Sequence, residues 1–226
     1  MPAAHKPRLG TRNRPEQTRA AILDAAMREF AHEGVAGART EAIARAARVN
    51  KALLYYYFKD KEALYGAVID RVFSGLSERI SEALARDLPV RERYLAYVGA
   101  HFDYVAGNPT LPRIFMREWM RTGRSTSPHL RRIAEQYLRP NFAKISHLLA
   151  EGVASGDFRP VNPADFIPST VAMVVFYFTS TPVMSLLLPG DPLAPERIAQ
   201  RRAAVLHYVS AILFTDQPPA HAGERL

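Results

Sequence analysis

Asn50-Lys51-Ala52-Leu53-Leu54-Tyr55-Tyr56-Tyr57 puts an ammonium and successive phenol hydroxyls within two turns of one short helix. Lys51, Tyr55 and Tyr56 are donors that suit the phosphate oxygens of a nucleic-acid backbone, because rigid rings lose little entropy when they are fixed. Nothing comparable points to covalent catalysis. The 7 histidines are scattered and show no metal-ligand spacing. With no cysteine, thiolate nucleophiles, thiolate metal sites and disulfides are excluded. The 12 glycines are isolated, so no glycine-rich phosphate loop exists. Glu118 beside Trp119 could serve as a carboxylate in a cleft, although an exposed or ion-paired side chain is the ordinary reading of such a residue. No cofactor is expected.

Those donors need a scaffold. Asn50 can cap the helix over 51–57, and Leu54 and Phe58, four residues apart, can anchor it on Ile22, Phe30 and Ile43. A first helix is expected over 15–33, with Pro15 in its first turn and Gly34 ending it at positive φ. A second runs from Thr40, whose hydroxyl can cap it, to Ala47. The helices over 40–47 and 51–57, joined by a tight turn, form a helix-turn-helix, which makes DNA the first partner to consider. Asp60 caps a fourth helix whose stripe Leu64, Val68, Val72, Leu76, Ile80, Leu84 repeats every four residues. At 1.5 Å per residue it spans roughly 37 Å, long enough to leave one module and enter the next. Further helices are expected over 90–107, 111–122, 128–155, 163–187 and 195–215. No segment alternates with period two, so the fold class is all-α with about nine helices.

Charge distribution agrees. The net charge is +8, and residues 1–61 hold 12 Lys/Arg against 6 Asp/Glu whereas residues 62–226 hold 18 against 16. The positive field is concentrated where the helix-turn-helix lies. Residues 1–14, with Lys6, Arg8, Arg12 and Arg14, read as a flexible basic arm, and 217–226 as a flexible tail. The N-terminus has no apolar run after its charges and is not a secretory signal. Residues 166–190 carry no charge, but Pro168, Pro182 and Pro189 and several hydroxyls interrupt them, leaving less than the ~20 apolar residues a bilayer needs. A helix buried in a core or between subunits is the better reading, with no membrane partner and a cytoplasmic location. In the central helices, Tyr97, Phe102, Phe115 and Trp119 fit either ordinary core packing or the wall of a ligand cavity.

Residues 19–64 resemble the DNA-binding region of tetracycline-repressor (TetR) family transcriptional regulators. The resemblance rests on Arg19 through Phe30, Gly34, Thr40 to Val49, and Asn50-Lys51-Ala52-Leu53-Leu54-Tyr55-Tyr56-Tyr57-Phe58-Lys59-Asp60-Lys61-Glu62-Ala63-Leu64. The rest of the chain resembles the family only in helix number and lengths. The resemblance implies a homodimeric regulator, not an enzyme, with a DNA-binding domain over 15–61 and an effector-binding and dimerisation domain over 62–216. Its last two helices would form a four-helix bundle with their copies, and a small apolar or aromatic effector would release it from a palindromic operator. By position, Thr40, Lys51, Ala52, Leu53, Tyr55, Tyr56 and Lys61 would lie on or beside DNA. Arg48 stands where the family usually has glycine; a left-handed non-glycine residue costs about 1 kcal/mol, so either the turn is reshaped or Arg48 gains a phosphate contact. Leu53 stands where a small polar residue is common, and could touch a thymine methyl. Alternatives are an all-α enzyme that kept a helix-turn-helix, a regulator without an effector, and a non-specific DNA-packaging protein.

Overall fold

The computed structural model describes residues 14–108, 110–120 and 127–216, without the side chains of Arg14, Glu118 and Trp119. The expected arm before Arg14, the expected tail over 217–226 and the Trp119 side chain lie outside the described residues. The elements are α1 (Arg14–Gly37), α2 (Thr40–Ala46), α3 (Lys51–Tyr57), α4 (Lys61–Leu84), α5 (Val90–Gly107), α6 (Leu111–Met120), α7 (Pro128–Ile133), a π turn (Ala134–Leu138), α8 (Arg139–Ala154), α9 (Pro163–Thr179), α10 (Thr181–Leu187) and α11 (Pro195–Leu213). No strand forms among the described residues; an isolated antiparallel bridge pairs Phe158 with Phe214.

Two compact units divide inside α4, the first ending at Ile69 and the second beginning at Asp70. The division falls later than residue 61 because the first turns of α4 belong to the first core. Tyr65 meets Phe30 edge-on at 5.1 Å, and Leu64 and Val68 are buried with it. Ile22, Ala26, Phe30, Ile43, Leu54 and Phe58 complete this core. Gly34 adopts φ 71° and ψ 175°, a kink after which one more helical turn carries the chain to Gly37.

In the second unit, α5 runs through the core. Tyr94, Tyr97, Val98, Phe102 and Val105 pack with Ile145 and Leu148 of α8, Phe166, Val174 and Phe178 of α9, and Val205, Val209 and Leu213 of α11. The four-residue stripe of α4 is buried from Leu64 to Ile80. A ladder of side chains pairs α4 with the π turn and α8 in parallel. Phe73 stacks on Tyr137 at 6.1 Å, Ser77 Oγ donates to Asn141 Oδ1 at 3.1 Å, and Lys144 Nζ donates to Ser81 Oγ at 2.9 Å.

Two expected helices depart from the sequence reading. The run over 128–155 contains the π turn, closed by Arg139 N–H to the Ala134 carbonyl. Pro140 explains it: the ring has no N–H and would crowd the carbonyl four residues back, so the helix widens just before it. The run over 163–187 breaks at Ser180, and α9 and α10 bend by 69°. Pro182 cannot donate to the Phe178 carbonyl, and Thr181 Oγ1 takes its place at 3.2 Å. This break makes ten helical runs among the described residues where nine were expected, counting α7, the π turn and α8 as one. Among the described residues no single helix is long and apolar enough to cross a membrane.

His101 is buried beside Tyr97, ring on ring at 6.5 Å, and its Nδ1 has no partner. Desolvation pushes its pKa down to about 4. The unfolded chain takes up this proton near the ordinary histidine value, the folded chain only near 4. Stability therefore falls as pH drops from about 6.5 to about 4, by on the order of 3 kcal/mol. Denaturant titrations across that range should show this slope, and the His101→Gln variant should flatten it. At Gly152, a Cβ would run into the Phe158 ring. Gly152→Ala should lower stability by about 1–3 kcal/mol, measured as a fall in the denaturant midpoint at constant slope.

Candidate nucleic-acid interface

The interface begins with what α3 hides. Leu54 is 0% exposed and Phe58 nearly so, and Arg19 lies over the Phe58 ring at 5.4 Å. With that side sealed, the opposite side faces out: Lys51, Ala52, Tyr55 and Tyr56 are exposed, with Tyr56 at 80%, and Leu53 is half-buried. The helix starts at Asn50, whose Oδ1 accepts from Leu53 N–H at 2.7 Å. Asp60 caps α4 in the same way, accepting from Ala63 N–H at 2.7 Å.

Thr40 does not cap α2. Arg39 occupies the cap position with no side-chain bond, and Thr40 lies one residue further, where its hydroxyl sits 3.3 Å from Tyr55 Oη. The structure thus brings Thr40 and Tyr55 together as a pair of hydroxyls. Lys51 Nζ donates to Glu41 Oε1 at 2.5 Å and lies over the Tyr55 ring at 5.8 Å. The hydrogen bond to Glu41, helped by its charge, holds Lys51 above its ordinary pKa and Glu41 below the usual carboxylate range. Glu41 had no signal in the sequence, because a ten-residue separation across a turn has no periodic signature. Lys61 Nζ reaches back instead of outward, donating to the carbonyls of Ala36 at 3.1 Å and Ala38 at 3.2 Å. It ties the end of α1 to the start of α4, with one of its three protons left over.

The turn between α2 and α3 is built on Arg48, at φ 57° the one non-glycine residue with positive φ among the described residues. Arg48 N–H bonds the Arg45 carbonyl at 3.1 Å and Val49 N–H the Ala44 carbonyl at 3.0 Å. This is the Schellman pattern that glycine usually closes. The strain sits at the tip of an exposed turn between the two helices, where the arginine side chain is solvent-facing and available to an anion.

The central aromatics lie elsewhere. Tyr97 packs edge-on against Tyr94 at 5.4 Å and Phe102 against Phe178 at 5.5 Å, each about 1% exposed. Phe115 is half-buried on Phe73 at 5.9 Å. The structure does not gather these rings around one opening. Arg113 and Arg117, four apart on α6, are exposed. No group of three or more His, Cys, Asp or Glu among the described residues could hold a metal.

A short helix anchored by its buried side, presenting cations and phenols after a capped turn, defines a helix-turn-helix regulator of DNA. Residues 22–68 match the bacterial regulatory proteins of the tetR family, and residues 91–209 match the tetracyclin repressor-like C-terminal domain. The HTH-type transcriptional repressor SCO4008 of Streptomyces coelicolor is 30% identical over 177 residues, which cover 78% of this chain and 85% of the relative. The HTH-type transcriptional repressor NicS of Pseudomonas putida is 32% identical over 151 residues, 64% and 67% of the two chains. The ketosteroid transcriptional regulator KstR2 of Mycobacterium tuberculosis shares the fold, with TM-score 0.65 at 20% identity over 88% of this chain and 95% of that one. The chain belongs to the TetR family and is a DNA-binding transcriptional repressor rather than an enzyme.

The turn separates into two measurable contributions. Asn50→Ala should cost about 1 kcal/mol of stability through the lost cap. Arg48→Gly should change stability by less than about 1 kcal/mol, since relief of the left-handed strain and added freedom of the unfolded chain oppose each other. The same variant should weaken DNA binding and lower the salt slope by about one counterion, read by fluorescence anisotropy at several ionic strengths.

Proposed function

We propose that the protein acts in the cytoplasm as a homodimer on a palindromic operator, each protomer setting one α3 in the major groove. The observation that carries this reading is the division of α3 into a sealed side at Leu54 and an outward side of Lys51, Ala52, Tyr55 and Tyr56. Lys51 and Tyr56 meet the groove, Leu53 and Ala52 its thymine methyls, and Tyr55, steadied by Thr40, a phosphate. Arg48 adds a phosphate contact from the turn. Lys61, already bonded to two carbonyls, acts mainly by fixing the pose of the domain over 15–61.

An apolar surface supports pairing of two protomers through the domain over 62–216. Phe176 on α9 is 67% exposed, and Tyr208 and Ile212, four apart on α11, are about half exposed. A monomeric chain leaves such rings in water, whereas a second copy covers them. Two α3 helices then sit about 34–36 Å apart, one per half-site.

A small apolar or aromatic effector that favours a state with the wrong half-site spacing lowers DNA affinity by linkage. Its cavity would be walled by Tyr97, Phe102, Phe115 and Trp119, and must open a core in which Tyr97 and Phe102 are packed. That tight packing favours a second reading, a repressor that takes no ligand in this core. Thermal-shift screening with apolar and aromatic compounds decides between them: a stabiliser lost in Phe102→Ala supports the effector, and no stabiliser supports the second reading.

Genomic footprinting of the purified protein should yield a two-fold symmetric site. Tyr55→Phe should weaken binding to all duplexes alike. The double change Phe176→Asp, Ile212→Asp should give monomers by sedimentation and abolish operator binding while preserving helical content. A protein that is monomeric without these changes, yet binds its site fully, overturns the proposal.

A further inference from the structure

A groove of about 380 Å³ opens on the second unit between the end of α4, the start of α5 and the end of α8. Its volume is in the range of small-molecule sites. Leu84, Ala85 and Leu148 supply apolar wall, and Arg93, Lys144 and His147 bring nitrogen donors to the rim. None of the expected effector residues lines it.

Its electrostatics are one-sided. The carboxylate of the lining, Glu151, is already spent, because Arg93 Nη2 holds Glu151 Oε1. Among the described residues Lys144 is bonded only to the neutral hydroxyl of Ser81, at 2.9 Å, which leaves its charge uncompensated there and two of its protons free. Arg93 Nε is buried with no hydrogen-bond partner. That nitrogen is sealed from the groove, so the donor open to a ligand there is Lys144. An apolar wall ending at an unneutralised ammonium, with the exposed His147 beside it, matches an amphiphile with an anionic head.

We propose that this groove binds an amphiphilic monoanion, an apolar chain or ring ending in a single carboxylate or similar anionic group. The tail lies along Leu84, Ala85 and Leu148, and the head accepts from Lys144 Nζ, with Arg93 and His147 beside it. The site goes beyond the DNA-binding reading and does not depend on it, since every lining residue belongs to the second unit.

Calorimetric titration of the full chain with decanoate, at concentrations where it is monomeric, tests this. One saturable site per chain is expected. Lys144→Gln should weaken it about tenfold or more, the loss of one charge-assisted hydrogen bond. Ala85→Glu, an exposed change that sets a like charge on the wall, should abolish binding, with unchanged melting temperature showing that the fold is intact. Decanol and decyltrimethylammonium should bind at least about tenfold more weakly than decanoate. Absence of saturable decanoate binding, binding unaffected by both substitutions, or equal binding of the cationic amphiphile overturns the proposal. Because the readout is heat of binding and not DNA release, its failure leaves the operator reading untouched, and failure of that reading leaves this one standing.

Discussion

The burial of Leu54 and Phe58 is the constraint on which the reading head depends. Seven residues make too short a helix to persist in water by itself, where about 12–15 are marginal. The α3 segment is helical because two side chains four residues apart are sunk into the core built by Ile22, Phe30 and Ile43, and because Asn50 and the turn before it fix where the helix begins. Once Leu54 is inward, helix geometry leaves Lys51, Tyr55 and Tyr56 no other direction than outward. The outward set proposed to read DNA is here a by-product of packing.

The second unit is held differently. Its core is apolar along α5, α9 and α11, but its seam between α4 and α8 is a ladder of modest polar rungs and one aromatic stack. The rungs keep step because the π turn ahead of Pro140 widens the helix. An α-helix overshoots by about 40° every four residues, and a wider turn takes some of that back, so Tyr137 and Asn141 remain on the side that faces Phe73 and Ser77. Apolar surface left over at Phe176, Tyr208 and Ile212, and at Leu186, 85% exposed on α10, is what this unit does not bury alone.

The all-α class, the helix-turn-helix, both Asx caps and the inward set of the first unit were legible from residue types at fixed spacing. They depend on local geometry: a cap needs one oxygen three residues from one N–H, and a helix face needs one repeat. Arg48 drew attention only through the family resemblance, which left open whether the turn kept its left-handed form. What escaped the sequence was relational. That Thr40 meets Tyr55 instead of capping, that Lys51 leans on Glu41, and that Lys61 turns back to two carbonyls all depend on distances across a turn that no periodicity encodes. The widening before Pro140 and the break before Pro182 were missed for another reason. A proline near a helix start is tolerated, and only the fate of the carbonyl four residues earlier reveals whether the helix swells or stops. The aromatic residues of the centre read equally as packing or as a wall, because large rings serve both, and only their close mutual contacts show the packed state.

The turn at Arg48 has a wider consequence. Where glycine holds a left-handed turn, the conformation is cheap in isolation and survives without its neighbours. Here the backbone is kept in that basin by bonds to the Ala44 and Arg45 carbonyls, which exist only while the last turn of α2 is wound. Fraying of α2 would release Arg48 toward the extended basin and swing the axis of α3 with it. The last turn of α2 and the start of α3 are therefore coupled through the backbone of Arg48.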